Sequence, residues 1–473
     1  MKKQIIIYSV ASVLALTGCK DFLKQEPKLT QSTEITLSSY DGLNKSVAGA
    51  YSPLASSSWY GASYVLSSDM RSGNGSRNEK AESGRYTQPY EWNYTDDNGG
   101  GIWSNAYYVI SAANNVINSL EGKTSTEVSE QDINNLKAEA LFIRALAHFD
   151  LVKIYSQPYT YKKDGLGVPY VKVTDPNGKP ARESVENTYK MVVEDLLEAE
   201  KAIDPKYVRA GFVDAKASVS IYAIQALLSR VYLYMGDWNN AAAYATKVID
   251  SKKFDVWDAD TYPTVWGKDV ADDGGEVIFE IYGKKTNGYY GSWVDISWMC
   301  NPEGYADTQA SPDLLSLYKE GDVRLDLYRS KTFDDGTVLY WTGKYPGKGD
   351  GTPDATNVIV LRLSEMYLNR AEATLNGAST GVPAVEDVNA VVTKRGLTPY
   401  LAVTRTDIQT ERRLEFAFEG HYFFDLARWN QSMVRTHFTG NMNQNVEFPS
   451  PKWAIPIPKR EIQLNENLVQ NEQ

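Results

Sequence analysis

The stretch IYAIQALLSRVYLYMGDWNNAAAYATKVID, residues 221–250, decides the fold. Laid along the roughly 34-residue template of a tetratricopeptide (TPR) hairpin, Ser229, Tyr232, Gly236, Ala241 and Ala245 take the small, aromatic, turn-glycine, small and small positions. Small side chains let two antiparallel helices approach closely, Tyr232 fills the groove between neighbours, and Gly236-Asp237 makes the turn. A single hairpin of this kind cannot bury its own apolar face, so the pattern predicts further hairpins stacked beside it. A second match begins at Arg362, where Ser364, Tyr367 and Ala371 keep the spacing ahead of a looser turn and a helix over 384–395.

Upstream, the same helical block opens at Ser184, and two more helices precede it, over 102–120 and from Ser129 onward. Ser129 and Asp132 resemble a capping box, and Leu136, Ala140, Ile143, Ala147, Leu151 and Ile154 recur every three or four residues as one apolar stripe. Pro158 and Pro169 then force an extended connector. Residues 252–357 are short-patterned, Gly-rich and dense in Trp and Tyr, with a strand at 277–282 and a helix start at Ser311-Pro312. Helix returns over 406–420 before a Pro-rich, extended end. The expected fold is mainly α: TPR-like helical hairpins forming a scaffold, with a loop-rich irregular subdomain carrying a few short strands.

The N-terminus reads as an export signal. Lys2 and Lys3 precede an apolar run over 5–16, shorter than the roughly 20 residues a membrane span needs, and Leu16-Thr17-Gly18-Cys19 forms a lipobox. Cleavage before Cys19 would leave an acylated cysteine, then a polar tether over 19–40, then one domain over 41–473. Acylation of Cys19 leaves Cys300 without a cysteine partner, so no disulfide is expected. The formal charge of −11 argues against nucleic acid as a partner. Aromatic usage is skewed, with 32 Tyr and 11 Trp against 13 Phe; rings with a polar handle suit wet surfaces more than dry cores.

Four stretches carry a family resemblance: AEALFIRALAHFDLVKIY at 138–155, RLSEMYLNRAEA at 362–373, ERRLEFAFEGHYFFDLARW at 411–429 and IPIPKREIQLNENLVQN at 455–471. In order and spacing, and together with the lipobox, they resemble the SusD/RagB outer-membrane lipoproteins of Bacteroidetes. The resemblance implies a single domain of paired helices with a loop-rich, glycan-binding face. It also implies a SusC-like TonB-dependent transporter as partner, and attachment to the cell surface through the lipid. Lys20-Asp21 is similar to the surface-export signal of such lipoproteins.

Sugars offer C–H faces and hydroxyl edges, so a sugar site needs aromatic planes beside fixed polar groups. Tyr86, Tyr90, Trp92 and Tyr94 cluster in the loop-rich segment 59–101 with Asp69, Arg77, Asp97 and Asn98. The resemblance carries Asp69, Arg77, Trp92 and Tyr94 over as sugar contacts, with Asn98 beside them, although Asp69 and Arg77 could instead pair with each other. A second cluster, Tyr289, Tyr290, Trp293 and Trp298, falls where the family contributes further aromatics, and the choice among the four stays open.

Other residues read as structural. Trp103 and Tyr107, four apart on a helix, should pack in the core. Glu411, Glu415 and Glu419 should form ion pairs and end-caps, and His148 and His421 should be packed. No metal-ligand spacing, nucleophile elbow or phosphate loop occurs, and only the loop pairs Asp96-Asp97 and Asp272-Asp273 could supply the two carboxylates of a glycosidase. The expectation is a non-enzymatic binding protein without cofactor, although acidic loops allow a structural calcium ion. The alternatives are a TPR-type protein-interaction scaffold of an outer-membrane complex and, further off, a glycoside hydrolase.

Overall fold

Ser39 accepts the N–H of Gly42 and opens helix α1, Tyr40–Tyr51. Helices α2, Ser63–Ser72, α3, Thr87–Glu91, and α4, Gly100–Leu120, follow. The Ser129/Asp132 capping box starts α5, Glu130–Tyr155, and Ser184 caps α6, Val185–Ala202. The hairpin first read from sequence is α7, Ile221–Met235, and α8, Trp238–Asp250, and the second is α9, Leu363–Leu375, and α10, Ala384–Val392. Two shorter helices, α11, Arg405–Glu415, and α12, Tyr422–Arg428, complete the helical part. This computed structural model describes residues 33–472 apart from 82, 98–99, 121–127, 213–214, 267–274, 284–294 and 348–355. Residues 1–18, Cys19, Lys20, Asp21, Asn98, Asp272, Asp273, Tyr289, Tyr290 and Trp293 therefore lie outside the described residues.

From α4 to α10 each helix packs on the next in chain order, the arrangement expected of stacked hairpins. Inside the first hairpin, Gly236 sits at φ 73°, a left-handed cap that costs glycine nothing, and Asp237 accepts the N–H of Asn240 to start α8. The Ser229 hydroxyl donates to the Ala241 carbonyl at 2.9 Å, a distance that only small residues at this crossing permit. Tyr232 stacks on Tyr244 of the partner helix, their centroids 5.7 Å apart.

Helix α5 departs from the single apolar stripe. The six predicted core residues are buried, but so are Glu139, Arg144, His148 and Asp150 on its other faces. It is packed by α4 on one side and α6 on the other, and α1 also touches it, so that from Ala138 to Val152 no residue faces water. Each buried polar group is matched. Arg144 grips Asp195 through two bonds of 2.7 Å, and Glu139 accepts from Arg209 at 2.5 Å. Asp150 accepts from Trp59 Nε1 and from the hydroxyls of Tyr60 and Tyr64.

Among the described residues the strands form three separate antiparallel pairs: β1, Gly75–Arg77, with β3, Thr308–Ala310; β2, Val277–Ile281, with β6, Val358–Arg362; and β4, Tyr328–Thr332, with β5, Val338–Thr342. Strand β6 runs directly into α9, with Arg362 as N-cap residue, which joins the irregular part to the second hairpin. The helix expected over 406–420 ends at Glu415. Phe418 at φ 62° and Gly420 at φ 77° turn the chain, and a separate helix, α12, begins at Tyr422.

That turn is held by ions. Arg362 reaches Glu415 at 2.6 Å, Glu276 at 2.7 Å and Glu419 at 2.8 Å; Arg395 reaches Glu415 at 2.7 Å; and Arg324 reaches Glu411 at 2.5 Å, all buried. The three glutamates are ion-paired as expected, but they do not share one helix and their partners come from elsewhere in the chain. The interleaved Arg412 and Arg413 turn instead to Asp425 and Asn74.

His148 lies against Tyr170, ring centroids 3.8 Å apart, and burial pushes its pKa down to about 3. Burial also holds His421 well below the usual histidine range. Trp103 is buried with its ring 4.9 Å from that of Tyr107, as packing on one helix face requires.

Candidate functional site

Helix α2 places Ser63, Ser67 and Arg71 four residues apart, on one side of the helix. Its opposite side carries Val65 and Asp69 into the core. The chain returns past the exposed side through Arg85 and Tyr86 into α3, a short helix bracketed by two aromatic residues in the left-handed region, Tyr86 at φ 59° and Trp92 at φ 50°. Such conformations cost of order 1 kcal/mol or more for residues bearing a Cβ, and here they fold the segment back over α2. Between the two lies a cleft of about 460 Å³.

Its walls are the α2 side, the segment from Arg85 to Pro89, and Tyr94 with Thr95; Met299 and Ile455 close the ends. Tyr94 and Tyr86 are half-buried, and burial pushes the Tyr94 hydroxyl up to about 12. The Arg71 guanidinium lies 4.8 Å from the Tyr94 ring centre and 5.0 Å from that of Phe423. Arg85 lies 4.1 Å over the Tyr305 ring and 3.2 Å from Asp307. Tyr305 in turn meets Trp298 at 6.3 Å, so rings continue outward from the cleft.

The residues expected at the site divide. Tyr94 lines the cleft, and half-buried Trp298 joins its rim through Tyr305 and Arg85. Arg77 stands in β1, half-buried, donating weakly to Thr87 and to the Thr439 carbonyl at 3.4 Å. Asp69 does not face the cleft. Its carboxylate accepts from the N–H groups of Phe418 and Gly420 and from Asn74, and burial pushes its pKa up to about 6. It therefore neither pairs with Arg77 nor offers an open oxygen.

Trp92 is corrected in the same way. It is 2% exposed, donates Nε1 to the Arg71 carbonyl at 3.0 Å, and packs edge-on to Trp453 and Phe423. Its left-handed backbone breaks the two-residue alternation that would have set it beside Tyr94 on one side. Tyr90 is likewise core, stacked on Phe438. Ser63, Ser67, Arg71 and Arg85 are among the cleft residues not singled out from sequence; the four-residue spacing of the first three was the available signal. Among the described residues no three His, Cys, Asp or Glu side chains converge on a metal position, and no helix is long and apolar enough to cross a membrane.

A stack of helical hairpins with a tyrosine-lined, arginine-bearing cleft beside its N-terminal helices defines the class. Residues 21–233 match the SusD-like family model described as starch-binding and associating with the outer membrane, and residues 328–473 match that of the SusD family. The chain belongs to the SusD/RagB family. It is 24% identical to a SusD-like protein of Bacteroides ovatus, over 91% of this chain and 83% of that one. It is 23% identical to the starch-binding protein SusD of Bacteroides thetaiotaomicron, over 77% of this chain and 76% of that one. The crystal structure of a SusD superfamily protein from Bacteroides thetaiotaomicron matches with a TM-score of 0.83 at 29% identity, covering 92% of this chain and 99% of its own.

Proposed function

We propose that the protein captures oligosaccharides in this cleft and hands them, uncut, to a SusC-like TonB-dependent transporter in the outer membrane. The observation that carries the reading is the pairing of a half-buried ring, Tyr94, with fixed polar groups, Ser63, Ser67 and Arg71, across one cleft. A ring plane suits a sugar's C–H face, and the hydroxyls and guanidinium suit its edges. The starch-binding description of the matched family and the name of the SusD relative support the same class of ligand.

The lining supports capture without cleavage. Glycoside hydrolysis uses two carboxylates roughly 5 to 10 Å apart, and among the described residues lining the cleft there is none. Outer-membrane attachment rests on the lipobox and the acylation expected at Cys19. Trp298 and, by sequence position, Tyr289, Tyr290, Trp293 and Asn98 are proposed to extend the sugar contacts.

Calorimetric titration with an oligosaccharide panel tests the reading. Binding should weaken about tenfold or more in Tyr94→Ala with little change in melting temperature. Unchanged binding in that variant would remove the cleft as the site, and binding to protein partners alone would favour the interaction-scaffold alternative.

A further inference from the structure

Arg71 is set apart from the other buried arginines by its place in the cleft and its unmet Nε; Arg182 and Arg435 also lack a carboxylate, but backbone carbonyls surround their guanidinium groups. Arg144, Arg230, Arg324, Arg362, Arg395 and Arg412 each hold a carboxylate within 3.0 Å or closer. Arg71 is 7% exposed, lines the cleft, and among the described residues has no carboxylate at ion-pair distance. Its Nε is buried without a hydrogen-bond partner, and the rings of Tyr94 and Phe423 hold the guanidinium in place. A buried guanidinium N–H without an acceptor is costly, and here the unmet group belongs to a side chain that lines a cavity.

The surroundings add to this. Arg85 lines the same cleft, so its described lining holds two guanidinium groups and no carboxylate, although the chain as a whole carries a charge of −11. Arg85 is partly offset by Asp307 at 3.2 Å, while Arg71 meets no carboxylate among the described residues. Serine hydroxyls at 63 and 67, one and two turns before Arg71 on the same side of α2, add neutral donors.

We infer that the glycan taken by this cleft is acidic, with a carboxylate or sulfate group on a sugar ring received by Arg71. The inference rests on the glycan-binding reading and narrows it. A planar guanidinium matches both oxyanions through two parallel N–H bonds, and Tyr94 beside it receives the ring that bears the anion.

The test is a titration of the purified protein against neutral, uronate-containing and sulfated oligosaccharides, including oligogalacturonate beside its methyl ester, which keeps the backbone and removes the charge. The expected result is acidic ligands binding about tenfold or more tighter than neutral ones, a preference that added salt weakens and Arg71→Gln removes. The uronate and sulfate arms distinguish the two oxyanions. Should Arg71→Gln fold poorly, the methyl-ester comparison and the salt dependence on the wild type still decide. Neutral glycans binding as well as acidic ones would overturn the acidic assignment and leave glycan capture standing; no binding by any member would overturn both.

Discussion

The backbone N–H of Phe418 donates to Asp69 Oδ1 at 2.9 Å across 349 residues of sequence, and the N–H of Gly420 meets the other oxygen at 3.0 Å. One carboxylate thereby ties the last turn of α2 to the left-handed turn between α11 and α12. Asp69→Ala would leave both N–H groups buried and unpaired, so it should destabilise the protein by about 2 to 4 kcal/mol in denaturant titration. Loss of glycan binding without loss of stability would contradict the structural role.

Trp92 and Tyr94 should separate cleanly in experiment. Trp92→Ala opens a large cavity against Trp453 and Phe423 and should cost about 3 to 5 kcal/mol of stability. Tyr94→Ala removes a half-buried cleft ring, so it should weaken oligosaccharide binding about tenfold or more at small cost in stability. Paired calorimetry and urea unfolding read both effects.

His148 supplies a pH dependence with a defined sign. Its Nδ1 lies 2.9 Å from the Arg144 carbonyl and its Nε2 accepts the N–H of Val171 at 3.1 Å, which requires the neutral ring. The folded pKa, about 3, lies below the unfolded value of about 6.5. The unfolded chain therefore binds the extra proton first, and stability present above about pH 6.5 drains away as acid is added. Between about pH 7 and pH 5 the loss through this residue should be about 2 kcal/mol, so the stability gap between wild type and His148→Gln should narrow by that amount. A gap that stays constant would place a charged ring in the fold.

The ion cluster under the α11 to α12 turn should be intolerant of losing one member. Arg362→Ala would take from Glu415, Glu419 and Glu276 the one cation they share, leaving excess buried negative charge on Arg395 and Lys344, and should cost about 3 to 5 kcal/mol, measured by thermal or chemical unfolding.

Gly236→Ala tests the hairpin turn. At φ 73° an added Cβ meets no crowded atom, its nearest neighbour being Trp238 at 3.7 Å, so the cost is backbone strain alone, about 1 kcal/mol.

Local pattern carried the scaffold well. Residues 221–250 were legible because small residues, an aromatic and a turn glycine each answer a local steric demand. Helix α5 was legible as a helix but not in its environment: a stripe of apolar residues cannot announce that Glu139, Arg144, His148 and Asp150 will also be covered. The helix over 406–420 was drawn too long because Phe418 bears no mark of a left-handed residue; its conformation is imposed by Asp69 and the buried ions around it.

The cleft divides along the same line. That aromatic and polar residues of segment 59–101 come together could be read from composition, since loops rich in Tyr, Trp, Gly and Asn have little else to pack. Which ring faces outward could not. Trp92 turns in and Tyr94 lines the cleft because of the positive φ at Trp92 and the cleft's far wall, and Arg71 matters because it meets no carboxylate among the described residues.

Taken alone, the amino-acid order determined the stacked helical hairpins and the family, both written in short-range spacing or contiguous motifs. Only the tertiary structure decided that Asp69 is a tether, that Trp92 is core and that Arg71 has no carboxylate at ion-pair distance among the described residues. The physical reason is that burial and charge pairing are settled by neighbours hundreds of residues away, whose approach leaves no periodic trace along the chain.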